Sequence, residues 1–161
     1  MPIGRTGGCC APWSVFWVDR QVIFILFIIM ALGVGHFSCQ SKKDIQGRQY
    51  YVQGEQLYLK HCSNCHQKSG KGLGLLYPPL AQSDYMQDQK EAVLCLIKNG
   101  KAGELTVNGK VYNQPMPAFP LLTDLEIAEI ATYIYNAWGN EGGQVDLLQV
   151  GEALKNCGNS P

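Results

Sequence analysis

The pentapeptide Cys62–Ser63–Asn64–Cys65–His66 constrains this 161-residue chain more than any other feature. Two thiols three residues apart, with an imidazole directly behind the second, admit three readings. A structural zinc site wants four nitrogen or sulfur ligands. Downstream of His66 the only remaining thiols are Cys95 and Cys157, each isolated, and adjacent residues such as Cys65 and His66 rarely reach one metal together. A thiol-redox module opens a helix with its Cys-x-x-Cys, whereas here the motif closes one. Haem attachment needs these residues in this order. The thiols add across two vinyl groups, and the neighbouring imidazole swings beneath the iron as an axial ligand.

A six-coordinate haem takes its second axial ligand from the other side. Of the three histidines, His36 lies in or beside an apolar N-terminal run, and His61 is bound too close to Cys62 to reach the far face. After residue 40 there are two methionines, Met86 and Met116. Met86 stands among polar residues ahead of a helix and reads as a surface or packing residue. Met116 lies in Gln-Pro-Met-Pro-Ala-Phe, framed by Pro115 and Pro117. A soft thioether held by a stiff, extended loop suits iron; the plain alternative is a methionine that fills a gap in the core.

Val22 to Phe37 is an uncharged run of 16 residues preceded by Asp19 and Arg20. It falls short of the ~20 needed to span a bilayer, although Phe16 and Trp17 extend it. No turn or polar face interrupts it, so it is expected to target or anchor the chain and not to join a core. Two versions stand. Ser38–Cys39 marks a lipoprotein processing site with Cys39 lipid-modified, although position 36 is His where an aliphatic residue is usual; or the segment stays as a single membrane anchor. Both place the remainder outside the cytoplasmic membrane and attached to it. Residues 40–110 carry ten Lys/Arg against six Asp/Glu, and residues 111–161 only Lys155 against six acidic groups. The exported part is thus nearly neutral and dipolar. Nucleic acid would need a strong basic excess, whereas a protein partner is oriented by such a dipole.

The spacing of Tyr51, Gly54, Leu57, Tyr58 and Cys62 predicts a helix running into the cysteine motif. Residues 67–87, rich in Gly and Pro, read as a loop wrapped over something. Asp88 and Glu91 fit a capping box opening a helix that Gly100 ends, with Cys95 a small buried hydrophobe in it. Asn108–Gly109 between short β-prone runs predicts a hairpin. The prolines of residues 114–122 exclude helix. Thr123 and Glu126 form a capping box ahead of a helix that buries Ile127, Ile130, Ala131, Ile134 and Trp138, stopped by Gly139. In the tail, residues 147–154 read as a short helix or a strap. Cys157 is expected to be exposed, with a disulfide to Cys95 open in an oxidising compartment.

Four segments resemble, in order, the class I c-type cytochromes of the small bacterial mono-haem kind: "GEQLYLKHCSNCH", "GKGLGLLYPPLAQSD", "IKNGKAGELTVNGKVYNQPMPAF" and "LTDLEIAEIATYIYNAWGN". They run from about Tyr51 to Asn140. The resemblance implies an all-α cytochrome c fold with a short hairpin before the methionine loop and the first and last helices crossing. The apolar run and the tail after Asn140 depart from the family's minimal fold, so the chain is expected to divide into a signal or anchor over 1–39, a tether over 40–48, the cytochrome domain over 49–140 and a tail over 141–161. One haem c would be attached through Cys62 and Cys65, with His66 and Met116 as iron ligands. Pro78 would offer its carbonyl to the far ring N–H of His66, and Leu80 would pack on the haem face. Gly54 and Tyr58 would meet Ile130 and Tyr133.

A haem with both axial positions filled has no open place for substrate. The expected function is therefore electron transfer and not catalysis, between redox protein partners. The donor would be a quinol-oxidising complex or dehydrogenase, the acceptor a terminal oxidase or reductase, on the periplasmic side of a bacterial membrane. Lys60, Lys68 and Lys71 flank the motif and would meet an acidic partner patch. The alternatives are a haem subunit of an oxidoreductase, a haem protein with a labile Met116 that reacts with small ligands or peroxide, and a metal or thiol module without haem.

Overall fold

The computed structural model describes residues 20–33 and 42–157. Its first unit, Met1–Cys39, contains helix α1, Arg20–Gly33. These 14 residues rise about 21 Å, against a hydrocarbon layer of ~30 Å. No described helix is long and apolar enough to cross a membrane. Phe16, Trp17, His36 and Cys39 lie outside the described residues.

Among the described residues, the regular elements of the second unit, Gln40–Pro161, are helices apart from one hairpin. Helix α2, Lys42–His61, begins inside the stretch expected to be a tether, with Asp44 in its first turn favourably placed for the helix dipole. It leads into the single turn α3, Ser63–His66. Residues 67–83 form the expected loop, but its end is a further short helix, α4, Asp84–Asp88. The Ser83 hydroxyl caps α4 by accepting the Met86 N–H. Asp88 therefore closes α4 and does not form a box with Glu91. Helix α5, Lys90–Asn99, starts from Gln89 without a side-chain cap. Gly100, at φ 73°, ends it as expected.

Strands β1, Leu105–Val107, and β2, Lys110–Tyr112, pair antiparallel. Asn108 and Gly109 both take positive φ, 49° and 70°, as a two-residue type I′ turn requires. Helix α6, Asp124–Ile134, carries the predicted Thr123/Glu126 capping box. It ends sooner than the periodicity suggests. Trp138 sits at φ 55° beyond the helix, and its indole N–H donates to the Lys68 carbonyl at 3.0 Å. Helix α7, Leu147–Asn156, opens with a second capping box, Asp146 and Gln149.

The main helix contact is α2 against α6. A methyl group on Gly54 would overlap the Glu129 carbonyl oxygen and lie 2.9 Å from Tyr133 Cβ, so only glycine permits this approach. Tyr58, fully buried, stacks tilted on Tyr133 and Trp138 at 5.3 and 5.1 Å. Helix α7 packs on α5 and α6, burying Val150 and Ala153. A Cys95–Cys157 disulfide joins α5 to the end of α7. Cys95 is thus no lone hydrophobe, and Cys157 is half-buried and not exposed.

Two outcomes follow for stability. Gly54→Ala should cost roughly 3 kcal/mol or more by backbone overlap, whereas Gly151→Ala, with open space around its Cβ, should gain ~0.5–1 kcal/mol; thermal denaturation of the two variants checks both signs. The second concerns pH. Bonds from the Thr123 backbone N–H and hydroxyl hold the Glu126 carboxyl below its ordinary range. The unfolded chain therefore binds this proton more tightly, and the stabilisation is present above the unfolded pKa and lost as pH falls through the lowered folded one. The melting-temperature gap between the native protein and Glu126→Gln should narrow from about pH 6 to about pH 3. A gap independent of pH would contradict the cap's charge.

Candidate functional site

Helix α2 delivers the cysteine motif directly. The Cys62 N–H bonds the Tyr58 carbonyl at 2.8 Å, and the Cys62 carbonyl accepts from Cys65 at 3.2 Å and His66 at 3.0 Å. This tight turn brings Cys62, Cys65 and His66 to one cleft. Both thiols are unbonded and half-buried. Burial, with a smaller push from Cys65, drives the Cys62 thiol up to about 12.

His66 Nδ1 stands 3.0 Å from the Pro78 carbonyl oxygen. A carbonyl only accepts, so Nδ1 carries the proton and Nε2 keeps its lone pair. Burial lowers the His66 pKa, opposed in part by the bond to Pro78; the ring is held neutral, as a metal ligand must be.

Loop backbone puts Pro78 there. Gly72, at φ 65°, donates to the His66 carbonyl at 3.0 Å. A side chain on it would come within 2.7 Å of the Pro78 carbonyl group. The Gly70 carbonyl accepts from Leu80 and Ala81 at 2.7 and 2.9 Å, folding the loop back. Gln67 occupies φ 64°, ψ 156°, a region close to glycine-only. The Tyr58 hydroxyl holds its carbonyl at 2.6 Å.

Met116 comes from a distant segment. It is half-buried, and its backbone exchanges two hydrogen bonds with Lys101, at 3.0 and 2.9 Å. Two adjoining cavities share Cys62, His66, Pro78, Leu96, Leu105 and Met116. Cys65, Tyr77, Tyr112 and Phe119 wall the first. Leu80, Ile97, Ile130 and Ile134 wall the second. Every residue singled out from the sequence as haem-binding therefore meets this cleft. Met86 is a core residue, 3% exposed, at the edge of the second cavity. His61 lies edge-on to Phe119 at 5.5 Å on the rim of the first. Sequence reasoning missed Leu96 and Leu105 as cleft walls; the i, i+3, i+4 spacing of Val93, Leu96 and Ile97 marks that face of α5.

Two thiols, a neutral imidazole and a thioether on one mostly apolar cleft make the donor set for a flat apolar macrocycle with iron at its centre. Among the described residues, no cluster of three or more His, Cys, Asp or Glu side chains is placed to hold a metal ion.

Comparison with known proteins agrees with this chemistry. The cytochrome c family model matches residues 51–138. A cytochrome c-552 of Thermus thermophilus is 33% identical over 91 residues, covering 54% of this chain and 69% of that protein. A second cytochrome c-552 of that species is 33% identical, with 61% of its length covered. The cytochrome c subunit of a quinone alcohol dehydrogenase from Gluconobacter oxydans is 29% identical over 89 residues, 54% of this chain but only 18% of that protein. The family model's span contains Cys62, Cys65, His66 and Met116 together. The chain belongs to the cytochrome c family: it is a class I c-type cytochrome, an electron-transfer protein with covalently attached haem c.

Proposed function

We propose that this chain is a mono-haem carrier of single electrons in which Cys62 and Cys65 form the thioethers and His66 and Met116 the axial bonds. The observation that carries this reading is the pairing of His66, its Nε2 left free by the Pro78 carbonyl, with Met116 in one cleft. Bound haem supplies a one-electron couple that a thioether ligand biases toward the ferrous state. The chain's own residues do the rest. Pro78 fixes the imidazole and its basicity, Leu80, Ile97 and Ile130 exclude water, and the Lys101 backbone holds the methionine loop.

The donor in this reading is a quinol-oxidising complex or dehydrogenase, and the acceptor a terminal oxidase or reductase. Exposed Lys60, Lys68 and Lys71 beside the attachment turn favour an acidic partner surface. The likeness to a dehydrogenase's cytochrome subunit supports a second reading, a fixed haem subunit of an oxidoreductase. The protein is exported and tethered on the periplasmic side, by the N-terminal segment or by lipid on Cys39. The uncharged run from Val22 and the exposed apolar surface of α1 support this placement.

Spectra of the holoprotein test the ligand set. Met116→Ala should keep its haem through denaturation while a low-spin reduced spectrum turns high-spin and becomes open to carbon monoxide. An unchanged spectrum would remove Met116 from the iron. Docking has its own test. Reversing Lys60, Lys68 and Lys71 to Glu should slow electron transfer to an anionic redox protein ~10-fold at low salt and little at high salt. A loss equal at both salt levels would contradict electrostatic docking.

A further inference from the structure

The segment that holds Met116 is itself gripped by the end of α5. Besides the Lys101–Met116 pair, Phe119 N–H donates to the Lys98 carbonyl at 3.1 Å. The Lys98 ammonium donates to the carbonyls of Pro120 and Leu122, at 3.1 and 2.6 Å. Gly100 lets these segments touch: a Cβ there would sit 2.6 Å from the Met116 carbonyl oxygen. The methionine loop is thus tied to the end of α5 by backbone and side-chain bonds.

What braces α5 lies outside the family match, which stops at residue 138. The largest helix contact of α5 is with α7. The segment leading into α7 is tied to α6 by Thr132 and Val145, which exchange two hydrogen bonds at 3.3 and 3.0 Å. The C-terminal end of α7 is tied to α5 by the Cys95–Cys157 disulfide, closing a separation of 62 residues. Cys95 directly precedes Leu96, which lines both halves of the cleft.

We propose that the Cys95–Cys157 disulfide is a positioning device for Met116, and that opening it loosens the methionine's hold on the iron. The proposal rests on the reading of Met116 as the axial ligand. A dithiol opens the bond. The S–S bond breaks, two thiols form with two electrons and two protons from the dithiol, and the dithiol becomes a disulfide. With the clamp open, α7 frays from α5, residues 98–101 sample more conformations, and the methionine loop swings out more often. Both cysteines are half-buried residues and neither is sealed in the core.

The test compares three forms of the full-length holoprotein: native, Cys95→Ser/Cys157→Ser, and native protein reduced with a dithiol, capped with N-ethylmaleimide and reoxidised with ferricyanide. The last form needs no refolding. Imidazole binding to the ferric protein should be about tenfold faster in both opened forms, a fraction of the effect a disulfide usually has on opening. Amide exchange at Lys101, Met116 and Phe119 should quicken with it, while exchange in α2 stays native. A lower melting temperature with native imidazole binding and native Met116 exchange would overturn the proposal, since the disulfide would then be a staple only. Equal quickening of every amide would also overturn it. Met116→Ala separates the two layers. A native protein that binds imidazole as fast as this variant removes the ligand reading, and the clamp with it.

Discussion

The close approach of α2 to α6 at Gly54 is the constraint on which the rest of this molecule depends. Helix α2 ends in the attachment turn, and α6 supplies Ile130 and Ile134 to the inner cavity. The distance between their backbones therefore sets where the two thiols and the imidazole stand relative to the apolar wall of the cleft. A single methyl group would part them. Tyr58 then locks the crossing from inside, packing on Tyr133 and Trp138 while its hydroxyl holds Gln67 in a backbone conformation that few side chains accept. Packing and site geometry are one problem here.

The other side of the cleft is made differently. No long helix carries Met116; a proline-framed loop does, and its position is borrowed from α5 through backbone pairs and the Lys98 ammonium. Helix α5 takes its own support largely from α7. The imidazole thus sits on the most deeply packed part of the fold, and the thioether on a part braced from its periphery. Interiors packed as densely as proteins are transmit such support over several contacts.

Much of this could be read from the residues alone. Cys62–His66 announces its chemistry because spacing and residue type are both covalent requirements. The Thr123 box and the Asn108–Gly109 turn are local devices that act within four residues, so their signals survive without tertiary context. Elsewhere local reading failed for identifiable reasons. Asp88 looked like a cap because Glu91 follows at the right spacing, yet Ser83 starts a helix that consumes it. Trp138 continues the apolar period of α6, but the chain has already turned so that its indole can reach the Lys68 carbonyl. The partner of Cys95 is 62 residues away, and no spacing rule reports a bond closed by packing between α5 and α7. Met86, read as a surface or packing residue, takes the packing role: it is buried in the core beside the second cavity, and its carbonyl accepts from the Tyr135 hydroxyl.

The central proposal is that His66 and Met116 would both hold the iron of bound haem, leaving it free only to exchange an electron. Voltammetry of the full-length holoprotein at an electrode tests it most directly. The account predicts one reversible one-electron wave whose midpoint does not move when carbon monoxide is added. A midpoint driven upward by carbon monoxide, as binding to the ferrous iron would do, would show an open coordination position and contradict the account.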